Sequence, residues 1–558
     1  MPSDADKPII VQSDRSILLE TDGPSFEDAR DAIAAFAELI KSPEHIHTYR
    51  ITPLSLWNAA AAGLTAAQIA EELRQFSKYD VPPNILAEIE ETIGRYGRLK
   101  LHKDAEGRLY ISADDPLLIT QLVHHKDVKP YIEEHTDRTI FITPGDRGNV
   151  KSVLIKIGFP VEDLAGYVAG APLPVELLET AASGKPFGLR KYQREAIDAF
   201  HAQGTNRGGS GVVVLPCGAG KTVVAIGAIH RLQTQTLVLT TNTVALRQWK
   251  QEILDKTTLT EDDVGEYSGD VKNIAPVTVA TYQVLTYRRG KDGPFAHFDL
   301  FDKANWGLIV YDEVHLLPAP VFRATASLQA LRRLGLTATL VREDGREDDV
   351  FSLIGPKKYD VPWKVLEHQG WIAQAECTEI RVPLPEQERW NYAVADKRAK
   401  FRIASTNPAK AVVCEEIVGQ HNGDHILIIG QYLDQLKELA KHFNAPIITG
   451  QKATKKREEL YKAFRSGEIK LLIVSKVANF AIDLPDANVA IQVSGTFGSR
   501  QEEAQRLGRI LRPKQNGAVA RFYSLVSRDT CDQDYSVKRQ LFLTEQGYRY
   551  DIRNAWEA

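Results

Sequence analysis

The run Pro216-Cys217-Gly218-Ala219-Gly220-Lys221-Thr222 has the residue types of a phosphate-binding loop. It follows the apolar run 212–215 and opens a helical pattern that extends to residue 232. In such a loop, backbone N–H groups surround a β-phosphate, and the dipole of the following helix favours negative charge. The sequence therefore predicts an ATP site in which Lys221 reaches the β- and γ-phosphates and the Thr222 hydroxyl ligates Mg²⁺.

Leu215 stands where the common form of this motif has its first glycine. The alternative interpretation is an ordinary glycine-rich turn between a strand and a helix. The order of strand, loop, Gly-Lys-Thr and helix favours the phosphate-binding interpretation.

A carboxylate pair follows a second apolar run, some ninety residues further along the chain. Leu308-Ile309-Val310-Tyr311 continues into Asp312-Glu313-Val314-His315. We expect Asp312 to be the ligand on the Mg²⁺ side and Glu313 to activate the attacking water. An Asp-Glu pair at a strand end usually marks only a solvated terminus. Together with the Lys221 loop, the pair becomes a specific signal for a nucleotide-hydrolysing site.

Two arginines near the C-terminus provide the third chemical signal. Arg509 and Arg512 lie three residues apart in the run 505–512, so on a helix they share a face. Such arginines can stabilise charge on a transferred phosphoryl group. The alternative is a solvated basic helix, and the further motif matches in this half of the chain favour the catalytic interpretation.

The elements that position these residues alternate in type from about residue 181 onward. Short β-branched apolar runs are separated by helical stretches, which is typical of parallel α/β sheets. The predicted strands are 212–215, 237–240, 277–280, 308–311 and 334–337, and then 426–429, 471–474, 489–492 and 521–524. The same architecture occurs twice, so we predict two α/β lobes, over residues 181–370 and 371–558.

The N-terminal region has a different pattern. Helical patterns at 52–62, 65–76 and 83–96 precede a hairpin pattern at 98–101 and 108–111, which predicts an α+β, winged-helix-like unit within residues 1–130. Its third helix carries Glu88, Glu90 and Glu91, which phosphates would repel. We therefore favour a protein-facing or intramolecular role for this unit over DNA reading.

Composition limits the classes of function. A length of 558 residues predicts three or four domains, and 43% hydrophobic with 25% charged residues is typical of a soluble protein. The net charge of −4 argues against a passive DNA coat but allows a motor with a local basic track. Four widely spaced cysteines and an acidic N-terminus without an apolar run predict a cytoplasmic protein, and a DNA motor in that compartment would be associated with the nucleoid.

Several further motifs resemble those of superfamily-two helicases, and of the XPB family in particular. The matching runs are Leu189-Arg190-Lys191-Tyr192-Gln193, Thr337-Ala338-Thr339, Ser475-Lys476-Val477 through Asp483-Leu484-Pro485, and Gln505 to Arg512. Arg342-Glu343-Asp344 matches an Arg-Glu-Asp element that marks XPB proteins. The resemblance covers nearly the whole chain, and the absence of long extensions resembles a compact bacterial member.

The resemblance implies two RecA-like lobes and an ATP-dependent DNA helicase or translocase of 3′→5′ polarity that acts in DNA repair. It implies ATP-binding roles for Arg190, Gln193, Gly218, Gly220, Lys221, Thr222, Asp483 and Gln505. It implies nucleic-acid contacts by Thr337, Thr339, Arg342, Glu343 and Asp344. Residues 131–180 would form a small damage-recognition-like domain or a linker.

A patch that interleaves aromatic and basic residues lies where XPB proteins carry a thumb-like insertion, near 385–405. Its members are Trp390, Tyr392, Lys397, Arg398, Lys400, Phe401 and Arg402. Stacking surfaces beside phosphate partners are what a grip on single-stranded DNA needs, with Lys397, Arg398 and Lys400 as the phosphate contacts. An ordinary amphipathic helix explains the pattern equally well.

Two rival functions share the same ATP-hydrolysing centre. An RNA helicase is disfavoured by Arg342-Glu343-Asp344 and by His315 in place of a second aspartate. An ATP-switched scaffold that opens DNA and recruits a nuclease cannot be separated from a helicase by sequence. The expected partners are therefore single-stranded, forked or duplex DNA, together with a nuclease or another repair protein.

Overall fold

The computed structural model describes residues 7–42, 45–216, 218–288, 290, 295–317, 321, 325, 328, 331–338, 347–450, 454–475, 487–495, 507–508 and 519–556. The chain forms two compact units. The first consists of Met1–Glu38, Tyr49–Leu215 and Gly220–Val361, and the second of Leu39–Thr48, Pro216–Ala219 and Pro362–Ala558. None of the helices in the described part combines the length and apolar character needed to cross a membrane.

The N-terminal part of the chain is α+β, as predicted. Its elements are β1 (Ile9–Val11), β2 (Ser16–Glu20), α1 (Phe26–Ala34), β3 (Glu38–Lys41), β4 (Ile46–Arg50), α2 (Pro53–Ala61), α3 (Ala66–Phe76), α4 (Pro83–Arg95), β5 (Leu99–Lys103), β6 (Leu109–Ala113), α5 (Pro116–His124), β7 (Ile132–His135), β8 (Thr139–Ile142), α6 (Arg147–Lys156) and β9 (Val161–Asp163). The three predicted helices are α2, α3 and α4, and the predicted hairpin is the antiparallel pair β5–β6.

The hairpin is part of a larger sheet. The strand order is β7-β8-β6-β5-β9, and β9 returns to pair in parallel with β5. Buried apolar side chains from both sides of residue 130, such as Leu101 and Ile140, share one core. The domain boundary predicted at residue 130 therefore runs through a sheet, because pairing between strands distant in sequence joins 99–113 to 132–163.

The first lobe contains a wholly parallel seven-stranded sheet. Its elements are α7 (Lys191–His201), β10 (Ser210–Val214), α8 (Lys221–Leu232), β11 (Thr236–Thr240), α9 (Thr243–Lys256), β12 (Val264–Tyr267), β13 (Val277–Thr281), α10 (Tyr282–Leu285), β14 (Leu308–Asp312), β15 (Arg332–Thr337), α11 (Glu347–Leu353) and β16 (Lys357–Asp360). The strand order is β12-β13-β11-β14-β15-β10-β16. Every residue of β10, β11 and β13 is buried, as expected for parallel strands covered on both faces.

The second lobe repeats this topology. Its elements are α12 (Trp363–His368), β17 (Ala375–Val382), α13 (Glu386–Val394), α14 (Lys397–Ser405), α15 (Ala409–Gln420), β18 (Ile426–Gly430), α16 (Leu433–His442), β19 (Ile447–Ile448), α17 (Thr454–Arg465), β20 (Leu471–Ser475), β21 (Val489–Gln492), β22 (Ala520–Ser527), α18 (Cys531–Glu545) and β23 (Tyr550–Asn554). The parallel strands lie in the order β19-β20-β18-β21-β22-β17-β23. Numbered within its own lobe, each sheet has the order 3-4-2-5-6-1-7, which confirms the predicted duplication.

A buried charge cluster fixes α15 and α18 in the second lobe. Asp532 accepts hydrogen bonds from Lys410 Nζ at 3.0 Å and Arg539 Nη2 at 3.3 Å, and from the Ser527 backbone N–H at 3.2 Å. Although burial alone would raise the pKa of Asp532, Lys410 and Arg539 hold it below its ordinary value. The carboxylate therefore stays ionised and neutralises two buried cations.

We predict that Asp532→Ala destabilises the second lobe by about 3–5 kcal/mol, because it leaves two buried cations without their common anion. Pulse proteolysis of the full chain in urea, with fragments assigned to residues 362–558, measures the loss. Asp434→Ala is the matched control, since Asp434 and Arg402 form an exposed pair at 3.1 Å. Equal urea midpoints for the two variants would contradict the prediction.

Candidate functional site

The strand order of the first lobe brings the predicted catalytic segments to one edge. In the sheet, β15 lies between β14 and β10, and all three are parallel. Their carboxyl ends lead to Glu313, Thr337 and the phosphate-binding loop. Ligands of open α/β sheets bind outside the carboxyl ends of the strands, so this edge is the candidate site.

The described part of the loop has the backbone that glycine allows. Gly218 and Gly220 have φ values of 82° and 83°, and Gly220 precedes the first residue of α8. A Cβ added to Gly220 would lie 2.6 Å from Gln193 Nε2, so the side chain of Gln193 packs directly against this glycine. Gln193 Oε1 also accepts the Arg190 backbone N–H at 2.9 Å. The structure thus brings the predicted base-reading motif to the phosphate loop.

Lys221 and Glu313 meet at this edge. Lys221 Nζ lies 3.6 Å from Glu313 Oε1, and His315 Nδ1 lies 3.5 Å from Glu313 Oε2. Glu313 has a left-handed backbone conformation with φ of 49°, which is uncommon for a residue with a side chain. The turn after β14 therefore directs the carboxylate toward the phosphate-binding lysine.

Asp312 is held by two buried aromatic side chains. Trp249 Nε1 donates a hydrogen bond to Asp312 Oδ2 at 2.9 Å, and the Tyr282 hydroxyl donates to the Asp312 backbone oxygen at 2.8 Å. Burial, followed by the charge of Glu313, raises the pKa of Asp312 to about 6, whereas Trp249 and Lys221 lower it. A cation bound beside Asp312 would stabilise its ionised carboxylate and so lower its pKa.

Sequence reasoning missed Trp249 and Tyr282. Both side chains are buried, and Trp249 lies in the amphipathic helix α9, where a tryptophan predicts core packing. Only the fold brings its indole N–H to Asp312, sixty-three residues away in the chain. No signal in the sequence distinguishes this tryptophan from an ordinary core residue.

Thr337 does not occupy the place expected for a nucleic-acid contact. Its side chain is fully buried, and its Oγ1 lies 2.7 Å from His315 Nδ1 in a hydrogen bond. In this arrangement Thr337 links the end of β15 to the turn after β14. The other predicted residues Thr339, Arg342, Glu343, Asp344, Asp483, Gln505, Arg509 and Arg512 lie outside the described residues.

The thumb-like patch forms the helical hairpin α13–α14 in the second lobe. Trp390, Lys397 and Arg398 are exposed, and Lys400 Nζ lies 5.4 Å from the centre of the half-buried Tyr392 ring. Phe401 is fully buried against Tyr535, so it cannot stack on a base. The hairpin therefore has both features considered from sequence: an amphipathic packing face and an exposed basic face.

Three family models match the chain. Residues 366–557 match the ERCC3/RAD25/XPB C-terminal helicase. Residues 186–342 match the type III restriction enzyme res subunit, and residues 9–137 match a helicase conserved C-terminal domain.

Relatives match over nearly the full length. The chain is 56% identical over 551 residues to the DNA 3′-5′ helicase XPB of Kineococcus radiotolerans, covering 99% of this chain and 97% of that protein. It is 55% identical to the DNA 3′-5′ helicase XPB of Mycobacterium tuberculosis, covering 99% and 98%. It is 32% identical to the general transcription and DNA repair factor IIH helicase/translocase subunit XPB/SSL2 of Saccharomyces cerevisiae, covering 99% and 72%.

We predict that Trp249→Phe lowers the rate of ATP hydrolysis about 10- to 100-fold, because Asp312 loses the donor that fixes its carboxylate. Steady-state kinetics should show the loss mainly in kcat, since Trp249 lies behind Asp312 and not in the loop that binds phosphate.

Trp306→Phe is the matched control, because Trp306 is also buried in this lobe and donates its indole N–H at 3.1 Å to the Leu300 carbonyl. It should change stability but leave kcat within about twofold of wild type. A similar loss of kcat in both variants would show that Trp249 acts only through packing.

Proposed function

The chain belongs to the XPB family of DNA helicases, and from this premise we propose that it couples ATP hydrolysis at the Lys221 loop to 3′→5′ movement on DNA in repair. The observation that carries the proposal is the 3.6 Å distance between Lys221 Nζ and Glu313 Oε1. These residues come from two motifs far apart in sequence, and the parallel sheet brings both to its ligand-binding edge.

The residues at this edge fit a nucleotide with Mg²⁺. In the described parts of the chain, no cluster of three or more His, Cys, Asp or Glu side chains could hold a metal alone. Mg²⁺ in nucleotide sites needs only one or two protein oxygens, because phosphates supply others, and Thr222 and Asp312 provide such oxygens. When bound, Mg²⁺ neutralises charge on the β- and γ-phosphates.

The protein residues then have separate tasks. Gln193 and Arg190 contact the nucleotide base side, and Lys221 binds the β- and γ-phosphates. Phosphate oxygens compete with Glu313 for Lys221, so nucleotide binding frees Glu313 to orient a water molecule and accept its proton. The hydrogen bond between His315 and Thr337 couples this turn to the end of β15.

Family motifs in both lobes supply the remaining roles. Arg509 and Arg512 stabilise the transferred phosphoryl group, and Asp483 and Gln505 contribute to ATP binding. Thr339, Arg342, Glu343 and Asp344 are assigned to the nucleic-acid side. Contacts mainly with phosphates would make binding independent of DNA sequence.

The partners and setting follow from this activity. Single-stranded, forked or duplex DNA is the track, and a nuclease or another repair protein would carry out incision. A cytoplasmic, nucleoid-associated location fits this role. An ATP-switched scaffold with little unwinding is less favoured, because the bacterial relatives are named as 3′-5′ helicases.

We predict that ATP hydrolysis is strongly stimulated by single-stranded or forked DNA, weakly by RNA, and falls at least about 100-fold in Lys221→Ala. Steady-state ATPase assays without nucleic acid and with each substrate measure this. Lys303→Ala is the control, since Lys303 is a surface lysine of the same lobe that pairs with Asp299.

Strand displacement on a forked duplex, measured in the same preparation, separates the two functions. Displacement that requires ATP and Lys221 supports a helicase, whereas DNA-stimulated hydrolysis without displacement supports the scaffold. Stimulation by RNA alone, or by neither nucleic acid, would overturn the proposal.

We further predict that Lys397→Glu, Arg398→Glu and Lys400→Glu, introduced together, raise the DNA concentration for half-maximal stimulation about tenfold or more. The cause is the replacement of three phosphate partners by like charges. The basal ATPase rate should stay unchanged, and the salt dependence of DNA binding should weaken by about one unit of slope per lost contact.

A control with Lys437→Glu, Lys441→Glu and Lys462→Glu makes the same change in net charge at exposed positions of the same lobe. Equal effects of the two triple variants would attribute the loss to net charge and remove the α13–α14 hairpin from the DNA track.

A further inference from the structure

A cavity of about 440 Å³ lies in the first unit, at the junction of three of its parts. The end of α2, the segment 160–163 that includes β9, and residues 351–358 of the first lobe contribute to its wall. Its volume is within the range of small-molecule sites, which span about 300–1,000 Å³.

The cavity is separate from the ATP site. Ser210, which lines it, is the first residue of β10, whereas the phosphate-binding loop follows the last residue, Val214. A strand rises about 3.3 Å per residue, so the four steps of β10 place the two positions about 13 Å apart. The cavity therefore lies toward the amino end of this strand, opposite the edge where the ATP site is formed.

The charges around the cavity are unbalanced. Five cations line it or lie directly behind its wall, against two carboxylates: Arg147, Lys151, Arg207, Arg333 and Lys358, with Glu162 and Asp163. Asp163 contacts Arg147 at 2.6 Å and Lys151 at 3.0 Å, and Glu162 contacts Arg207 at 2.8 Å. Arg207 is exposed and Lys358 is partly buried, whereas Arg147, Lys151 and Arg333 are buried. The described residues around the cavity therefore carry an excess of positive charge, most of it buried.

Lys358 has the chemistry of an anion ligand. Its Nζ donates to the Arg207 backbone oxygen at 2.9 Å, which is a neutral acceptor. Burial lowers the pKa of Lys358, and the nearby charge of Glu162 offsets only part of that effect. Tyr96 adds a phenol to the wall whose pKa is raised, first by burial and then by Glu162, so it stays a hydrogen-bond donor.

The geometry points to a second anion-binding site in this cavity, which takes a small phosphate-bearing molecule between Lys358 and Lys151. Two ammonium groups and a phenol are suitable donors for phosphate oxygens, and the bound anion would balance the buried excess of positive charge. Because the wall joins the N-terminal part to the first lobe, the bound anion would also tie these parts together. The phosphate could be free pyrophosphate or part of a nucleotide.

Calorimetric titration of the full-length Lys221→Ala protein tests the site without relying on ATP hydrolysis. Pyrophosphate and ADP are titrated separately, and then ADP is titrated in the presence of pyrophosphate. We expect about one site per chain, and Lys358→Met should weaken binding at least about tenfold, whereas Lys358→Arg should retain it. If pyrophosphate binds and does not compete with ADP, free pyrophosphate is identified as the ligand. If the two compete, the phosphate of a nucleotide is identified as the ligand.

Thermal denaturation separates loss of the site from loss of the fold. Pyrophosphate should raise the melting temperature of the Lys221→Ala protein by at least about 2 °C. Adding Lys358→Met should abolish that shift but not lower the melting temperature without ligand, because it removes a buried charge. Lys126→Met, at an exposed lysine of the same unit, is the control and should keep the shift.

Absence of binding in Lys221→Ala would overturn the proposal. Pyrophosphate binding that survives Lys358→Met would place the anion elsewhere, for example at the phosphate loop, and would overturn the proposal equally. Neither result bears on the proposed helicase activity, which depends on Lys221 and is measured by hydrolysis.

Discussion

Both lobes are built on sheets in which every strand pair is parallel, and this constraint determines where chemistry can occur. A parallel neighbour can be reached only by a crossover over one face, so both faces become covered and the strands are buried. The free loops then gather at the carboxyl ends of the strands. In the first lobe these ends bring Lys221, Glu313 and Thr337 to one edge, although the chain separates them by up to 116 positions.

In such covered sheets, the groups around a carboxylate determine its pKa. Asp532 is fully buried, but it contacts two cations and keeps a low pKa, which suits a permanent structural charge. Asp312 has a neutral indole donor and the charge of Glu313 beside it, and its pKa is raised. A raised pKa at the ligand-binding edge means that an arriving cation is attracted, because the protein alone does not satisfy the charge. The neighbouring groups thus keep Asp532 ionised in one lobe and raise the pKa of Asp312 in the other.

The local parts of this structure could be predicted from sequence because they depend on short patterns. The strand before Lys221 and the helix after it are confirmed, as are the three N-terminal helices and the hairpin β5–β6. Contacts between distant segments could not be predicted. The pairing of β9 with β5 crosses the boundary expected at residue 130, and Thr337 and Phe401 are buried although exposed roles were expected for them. Trp249 became part of the site only because α9 packs against β11, β12 and β13, which brings its indole to Asp312.

The two lobes share a strand order but differ at the position that matters for ATP. The strands β10 and β17 are topologically equivalent, yet β10 leads into the glycine loop and β17 leads into Pro383-Leu384-Pro385. Proline has no backbone N–H, and this segment has neither glycine nor lysine, so it cannot surround a phosphate. The helices that follow are α13 and α14, which carry the exposed Lys397 and Arg398. The repeated fold therefore supplies one edge whose backbone can surround a phosphate and an equivalent edge whose backbone cannot.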